Sequence, residues 1–152
     1  LLNTETEFVE NKRTIQMQGH FNRVEGIFSG LSGREFYGYE IHSGITKLEE
    51  TKALNTVEPI NEKAEPFAEG SQTVRGGMQV YGTYIHGIFD GEGIAAKIVE
   101  ALLARKGLSM DDVKVIDYQE YKQHQYDLLA QSVREHLDME KIYAIVEKGL
   151  GQ

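Results

Sequence analysis

Two histidines stand where chemistry could be done. His86 closes a strand-like run in Gly82-Thr83-Tyr84-Ile85-His86-Gly87-Ile88-Phe89-Asp90. The residues before it favour a strand and those after it a turn, so its imidazole is expected at a strand end with glycine beside it. Sites in open α/β sheets gather at such strand ends. An imidazole with a near-neutral pKa can serve there as general base and then as general acid. The competing reading is a structural histidine that bonds a turn. The second histidine, His42, lies in Gly38-Tyr39-Glu40-Ile41-His42-Ser43-Gly44, which collects a phenol, a carboxylate, an imidazole and a hydroxyl. Strand alternation puts Tyr39 and Ile41 on one face and Glu40 and His42 on the other, so the last two can meet side by side. Here the competing reading is an edge strand with a solvated polar face, and spacing alone favours it.

Other chemistries are excluded by what the chain lacks. It has no cysteine, so these residues supply no thiol nucleophile, disulfide, cysteine-ligated zinc or iron–sulfur cluster. His20, His42 and His86 match no standard metal-ligand spacing, and no metal- or cofactor-binding residue is expected. Neither phosphate-cradling glycine loop occurs, and there is no G-x-S-x-G elbow, which speaks against a serine hydrolase. His124 and His136 fall among charged residues on helices and read as surface groups. Tyr118, Tyr121 and Tyr126 read as helix packing with their hydroxyls at the rim.

The elements that must position these groups change period along the chain. Residues 1–30 read as strands, with clear alternation over Thr14–Gln18 and a looser one over Val24–Phe28. Arg34–His42 continues with the β-favouring Phe36, Tyr37, Tyr39 and Ile41. Residues 43–77 hold both prolines and Gly76-Gly77, and predict loops with one or two short strands. Met78–Ile85 reads as one buried strand. From Gly93 the period turns helical, through Ile94, Ile98, Ala101, Leu102 and Arg105, with Gly107 as the stop. Ser109 and Asp112 resemble a capping pair. A second amphipathic segment spans Asp117–Leu137, with Tyr121, Leu128, Leu129, Val133 and Leu137 expected inward. A third helix is expected from Asp138 as N-cap to Gly149, carrying Ile142, Ile145 and Val146.

Strands first and helices last place the chain in the α/β class without the βα alternation that usually opens such a domain. A missing N-terminal part is therefore expected, and Leu1 in place of Met points the same way. The 152 residues suffice for one domain. A net charge of −8 argues against a general nucleic-acid binder and against docking on anionic membranes. No apolar run approaches the ~20 residues of a spanning helix. The cytoplasm is the expected location.

At these residues the sequence resembles the glutamine amidotransferase domains of the cobyric acid synthase family. Gly38–His42 with Gly44 looks like that family's G-Y-E-I-H-x-G signature, and Gly82–Asp90 looks like its G-T-Y-x-H-G-x-F-D signature. Leu1-Leu2 with Thr4, Thr6, Phe8 and Lys12 resembles the segment after the family's nucleophile helix. The stretch from Tyr126 to Ile142 resembles its closing helices. The resemblance implies a partial, flavodoxin-like class I amidotransferase domain over residues 1–152, with a mixed sheet followed by C-terminal helices. The nucleophile-bearing part and an ATP-binding synthetase domain would lie outside it. It implies His86 as the catalytic histidine, with Glu40, His42 and Tyr39 as possible supporting residues. It further implies glutamine and a corrin, adenosylcobyrinic acid a,c-diamide, as substrates, with ATP and magnesium held by the synthetase domain. Two departures matter. The nucleophile is not in this chain, and Ile88 stands where many class I enzymes have the Glu that orients the histidine. This chain alone is thus expected to be inactive, with exposed sheet edge and apolar surface that invite self-association. Two other readings stay open: a non-catalytic amidotransferase-like docking or ligand-binding module, and an enzyme using Glu40, His42 and His86 with a metal.

Overall fold

The structure is a computed structural model and describes residues 2–10, 12–48, 51–111, 113 and 116–149. It divides into two compact units, Leu1–Val115 and Ile116–Gln152. The order is strands and then helices, a mixed α/β chain as its periodicity suggests.

The first unit is built on a five-stranded sheet. Its strands are β2 (Arg13–Phe21), β3 (Glu35–His42), β5 (Asn55–Pro59), β6 (Phe67–Glu69) and β9 (Ile85–His86). Their order across the sheet is β6-β5-β2-β3-β9. Two two-stranded sheets accompany it, β1 (Thr4–Glu7) with the sequence-distant β4 (Ile45–Leu48), and the hairpin β7 (Ser71–Arg75) with β8 (Met78–Gly82). Every one of these pairings is antiparallel. For β5–β6 and β7–β8 the short connection allows no other sense, since a parallel pair needs a long crossover.

Alternation then sorts the side chains. One face of the sheet carries Met17, Phe21, Phe36, Val57 and Ile85, each at most 4% exposed. Leu31, Ile88 and Ile94, from the helical segments Gly26–Leu31, Ile88–Asp90 and α1 (Ile94–Arg105), complete this core. Phe21 and Phe36 meet edge-on, with ring centroids 5.2 Å apart. Burying a side chain such as Ile94 or Phe36 contributes about 1.5–3 kcal/mol each. The opposite face of β3 exposes Glu35, Tyr37 and Tyr39 to solvent.

Three stretches differ from their sequence reading. Val24–Phe28 is not a strand, because Gly26–Leu31 forms a 3₁₀ helix. The backbone amides of Val24, Glu25 and Ile27 are taken by Ser32 Oγ, Gln72 Oε1 and Gln79 Oε1 at 3.0, 2.9 and 2.7 Å. Tyr81 donates its hydroxyl to the Glu25 carbonyl at 2.6 Å, and burial pushes the Tyr81 phenol above its ordinary pKa. A segment whose polar groups are met by side chains has no need of a ladder. Residues 43–77 hold four strands instead of one or two. Their inward positions include Asn55 and Glu69, which hide the alternation. Met78–Ile85 is two strands in two sheets, broken at Thr83-Tyr84.

The second unit consists of α2 (Tyr118–His136) and α3 (Met139–Lys148), and α1 ends as expected with Gly107 just beyond it. Asp117 caps α2 by accepting from the amides of Gln119 and Glu120. Asp112 lies outside the described residues. The apolar stripe of α2 is not inward: Tyr121, Leu128, Leu129, Val133 and Leu137 are all exposed, as are Ile145 and Val146 of α3. Two helices offer too little mutual surface to enclose both stripes. Asp138 caps α3 by accepting from the Lys141 amide at 3.1 Å. The Lys141 ammonium, and then that amide, hold the Asp138 carboxyl below its ordinary value of 3.8. Its folded pKa lies below the unfolded one, so its contribution is present above about pH 4 and is lost as pH falls through the folded value. Circular dichroism of Asp138→Ala should show lower helicity at neutral pH and a shallower acid loss than wild type. Coincident acid curves would refute this.

Candidate active site

His86 ends β9 at the edge of the five-stranded sheet. In the antiparallel register Tyr39 pairs with His86 and Glu40 with Ile85. Directly paired residues share a face, so Tyr39 and His86 stand together on the exposed side while Glu40 and Ile85 point to the core side. The Ile85 side chain is buried at 4% exposure, which anchors the strand and turns His86 outward. Gly87 follows with φ +83°. A side chain there would be strained, and that conformation starts the short 3₁₀ turn Ile88–Asp90, in which the Asp90 amide bonds the Gly87 carbonyl at 2.9 Å. The imidazole is thus accessible and held at the end of a strand that turns at once.

Glu40 and His42 do meet on the other face. His42 Nδ1 lies 3.6 Å from Glu40 Oε1. The His42 ring stacks on Tyr84, with centroids 4.4 Å apart and planes 11° from parallel. The Tyr84 hydroxyl shares a hydrogen bond with Thr46 Oγ1 at 2.8 Å. The four residues singled out in the sequence therefore form two pairs on opposite faces: Tyr39 with His86, and Glu40 with His42. A cleft of about 800 Å³ opens on the second face, lined by Glu40, His42, Phe67, Glu69, Thr83 and Tyr84 among others. Among the described residues no three His, Asp or Glu side chains gather around a point that could hold a metal ion. No described helix is long and apolar enough to cross a membrane.

Sequence reasoning missed Glu69. The residue is 5% exposed, and its carboxylate accepts hydrogen bonds from Asn55 Nδ2, Thr83 Oγ1 and the Tyr84 amide, each at 2.7 Å. This cluster breaks the strand before Ile85. Nothing in the spacing around Glu69-Gly70 marks it; only its burial on a core-facing strand position does.

The first unit is an antiparallel sheet with helical segments on one face, and the exposed imidazole at the end of its edge strand is a group able to take up and release a proton. The chain belongs to the CobB/CobQ-like glutamine amidotransferase domain family, whose profile matches residues 1–94. It is 44% identical to a cobyric acid synthase of Lachnoclostridium phytofermentans over 154 residues, covering 99% of this chain and 30% of that protein. It is 42% identical to the cobyric acid synthase of Ruminiclostridium cellulolyticum, over 99% of this chain and 29% of that protein. For the Citrobacter koseri cobyric acid synthase the identity is 38%, over 97% and 28%. The chain thus spans about 30% of the length of these curated relatives. No solved structure matches it significantly.

Proposed function

We propose that residues 1–152 are part of the glutamine amidotransferase domain of a cobyric acid synthase and carry the histidine of its glutaminase site. The placement of His86 supports this most directly: an exposed imidazole at the end of an edge strand, inside the Gly82–Asp90 signature. The nucleophile is a cysteine from outside these residues. Its thiolate attacks the side-chain amide carbon of glutamine, a C–S bond forms, and the amide C–N bond then breaks. His86, protonated when the thiolate forms, gives that proton to the departing ammonia. It then takes a proton from the water that attacks the thioester, which releases glutamate and restores the thiol. The ammonia passes to a synthetase domain where ATP, with magnesium, activates carboxylates of adenosylcobyrinic acid a,c-diamide. Four amidations yield adenosylcobyric acid.

The chain by itself holds a base without a nucleophile. Glutamate release should therefore be measured for the full-length protein and for residues 1–152 side by side. Activity in the first and silence in the second is expected. Glutamate release by residues 1–152 alone, or an inactive full-length protein supplied with glutamine, ATP and the corrin, would overturn the proposal. The lack of cysteine also fits a non-catalytic docking module, and a full-length protein with no cysteine at all would favour that reading.

A further inference from the structure

We infer that Glu69 is a positioning residue for His86, an inference that rests on the glutaminase role proposed above. Both carboxylate oxygens serve the residues just ahead of His86. Oε1 accepts the Tyr84 amide at 2.7 Å. Oε2 accepts the Thr83 hydroxyl at 2.7 Å and Asn55 Nδ2, also at 2.7 Å. Thr83 Oγ1 in turn accepts the Ile85 amide at 3.1 Å. Two consecutive backbone amides before His86 are thus met by one side-chain cluster.

The sequence shows what this prevents. Met78–Ile85 reads as a single buried strand, yet the chain leaves the β7–β8 sheet at Gly82 and joins β3 at Ile85. Glu69 makes the break. With the Tyr84 amide bonded to the carboxylate, Ile85 enters the five-stranded sheet facing the core and His86 faces outward beside Tyr39. Released from Glu69, β8 is free to run on, and the register that aims His86 is no longer imposed. A buried carboxylate is costly to keep unless its partners are all in place. Here it has three donors, two of them on the segment that delivers the histidine. The stack of Tyr84 on His42 and its hydroxyl bond to Thr46 hold the same segment as well.

The test uses the full-length protein. Glu69→Gln keeps the volume and one acceptor oxygen but cannot receive all three donors. Its kcat for glutamine hydrolysis should fall about 10- to 100-fold, the scale of a misplaced catalytic group, with KM nearly unchanged. Amidation driven by added ammonia, which bypasses the glutaminase site, should stay at the wild-type rate. Thr83→Val should lower kcat in the same way. The double variant should be no worse than Glu69→Gln, because both act through one cluster. Wild-type kcat in Glu69→Gln while His86→Ala is inactive would overturn the inference. So would a change confined to KM, or equal loss of the ammonia-driven and glutamine-driven reactions, which would make Glu69 a folding residue. Full activity in His86→Ala would instead remove the glutaminase role on which it rests.

Discussion

The full-length protein carrying His86→Ala should hydrolyse glutamine about 10²- to 10⁴-fold more slowly than wild type, the usual contribution of a positioned general acid–base. On the proposed role the loss should appear in kcat more than in KM, as expected for a group that transfers protons and does not hold the substrate in the ground state. His86 is exposed and its strand is anchored by Ile85, so alanine removes the ring without opening the core. Thermal unfolding of the variant should match wild type, and ammonia-driven amidation should be retained. A variant that releases glutamate at the wild-type rate would show that the imidazole has no part in the chemistry.

Gly38→Ala should be the most damaging small change in the two motifs. A Cβ on Gly38 would lie 2.4 Å from the His86 carbonyl oxygen and 2.6 Å from Ile85 Cγ2. The oxygen is backbone and cannot swing aside, so β9 must part from β3. Overpacking of this kind costs typically about 1–3 kcal/mol. Here the element displaced is the strand that carries His86, so glutaminase activity should fall about 10²-fold as well. Gly30→Ala is the control, because a Cβ there meets only Lys97 Cδ at 3.8 Å and should leave both properties near wild type. Denaturant midpoints and glutamate release measured on both variants decide the matter. Equal behaviour of Gly38→Ala and Gly30→Ala would mean that β3 and β9 can accommodate the methyl group.

What was legible in the sequence follows a physical pattern. β2, β3 and the three helices are carried by local periodicity and by caps at Asp117, Asp138 and Gly149, and they form where expected. The failures all involve partners distant in sequence. Val24–Phe28 alternates like a strand, but Gln72, Gln79 and Tyr81 claim its backbone groups. Met78–Ile85 is cut by Glu69, fourteen residues from Thr83. The stripe on α2 has the right period, yet periodicity says only which residues share a side, not whether anything covers them. The strand-end position of His86 was readable from the turn residues after it, and the Glu40–His42 contact from alternation within one strand. That Glu40 and His86 lie on opposite faces was not, because it depends on the register between β3 and β9.

That register also governs how damage should be distributed along the Gly38–His42 motif. Its residues share an unbroken stretch of sequence but answer to different demands. Gly38, Glu40 and His42 face the interior, where substitutions should first lower folded yield; Tyr39 shares the solvent side with His86, where, on the role proposed for that histidine, they should lower turnover with the fold kept. A substitution walk from Gly38 to Glu40 should therefore lower yield at Gly38 and Glu40, whatever happens to rate, and lower rate with yield intact at Tyr39 alone. Averaged over the motif, the two defects would merge into a single loss of function, and the step of two residues that separates them would be invisible.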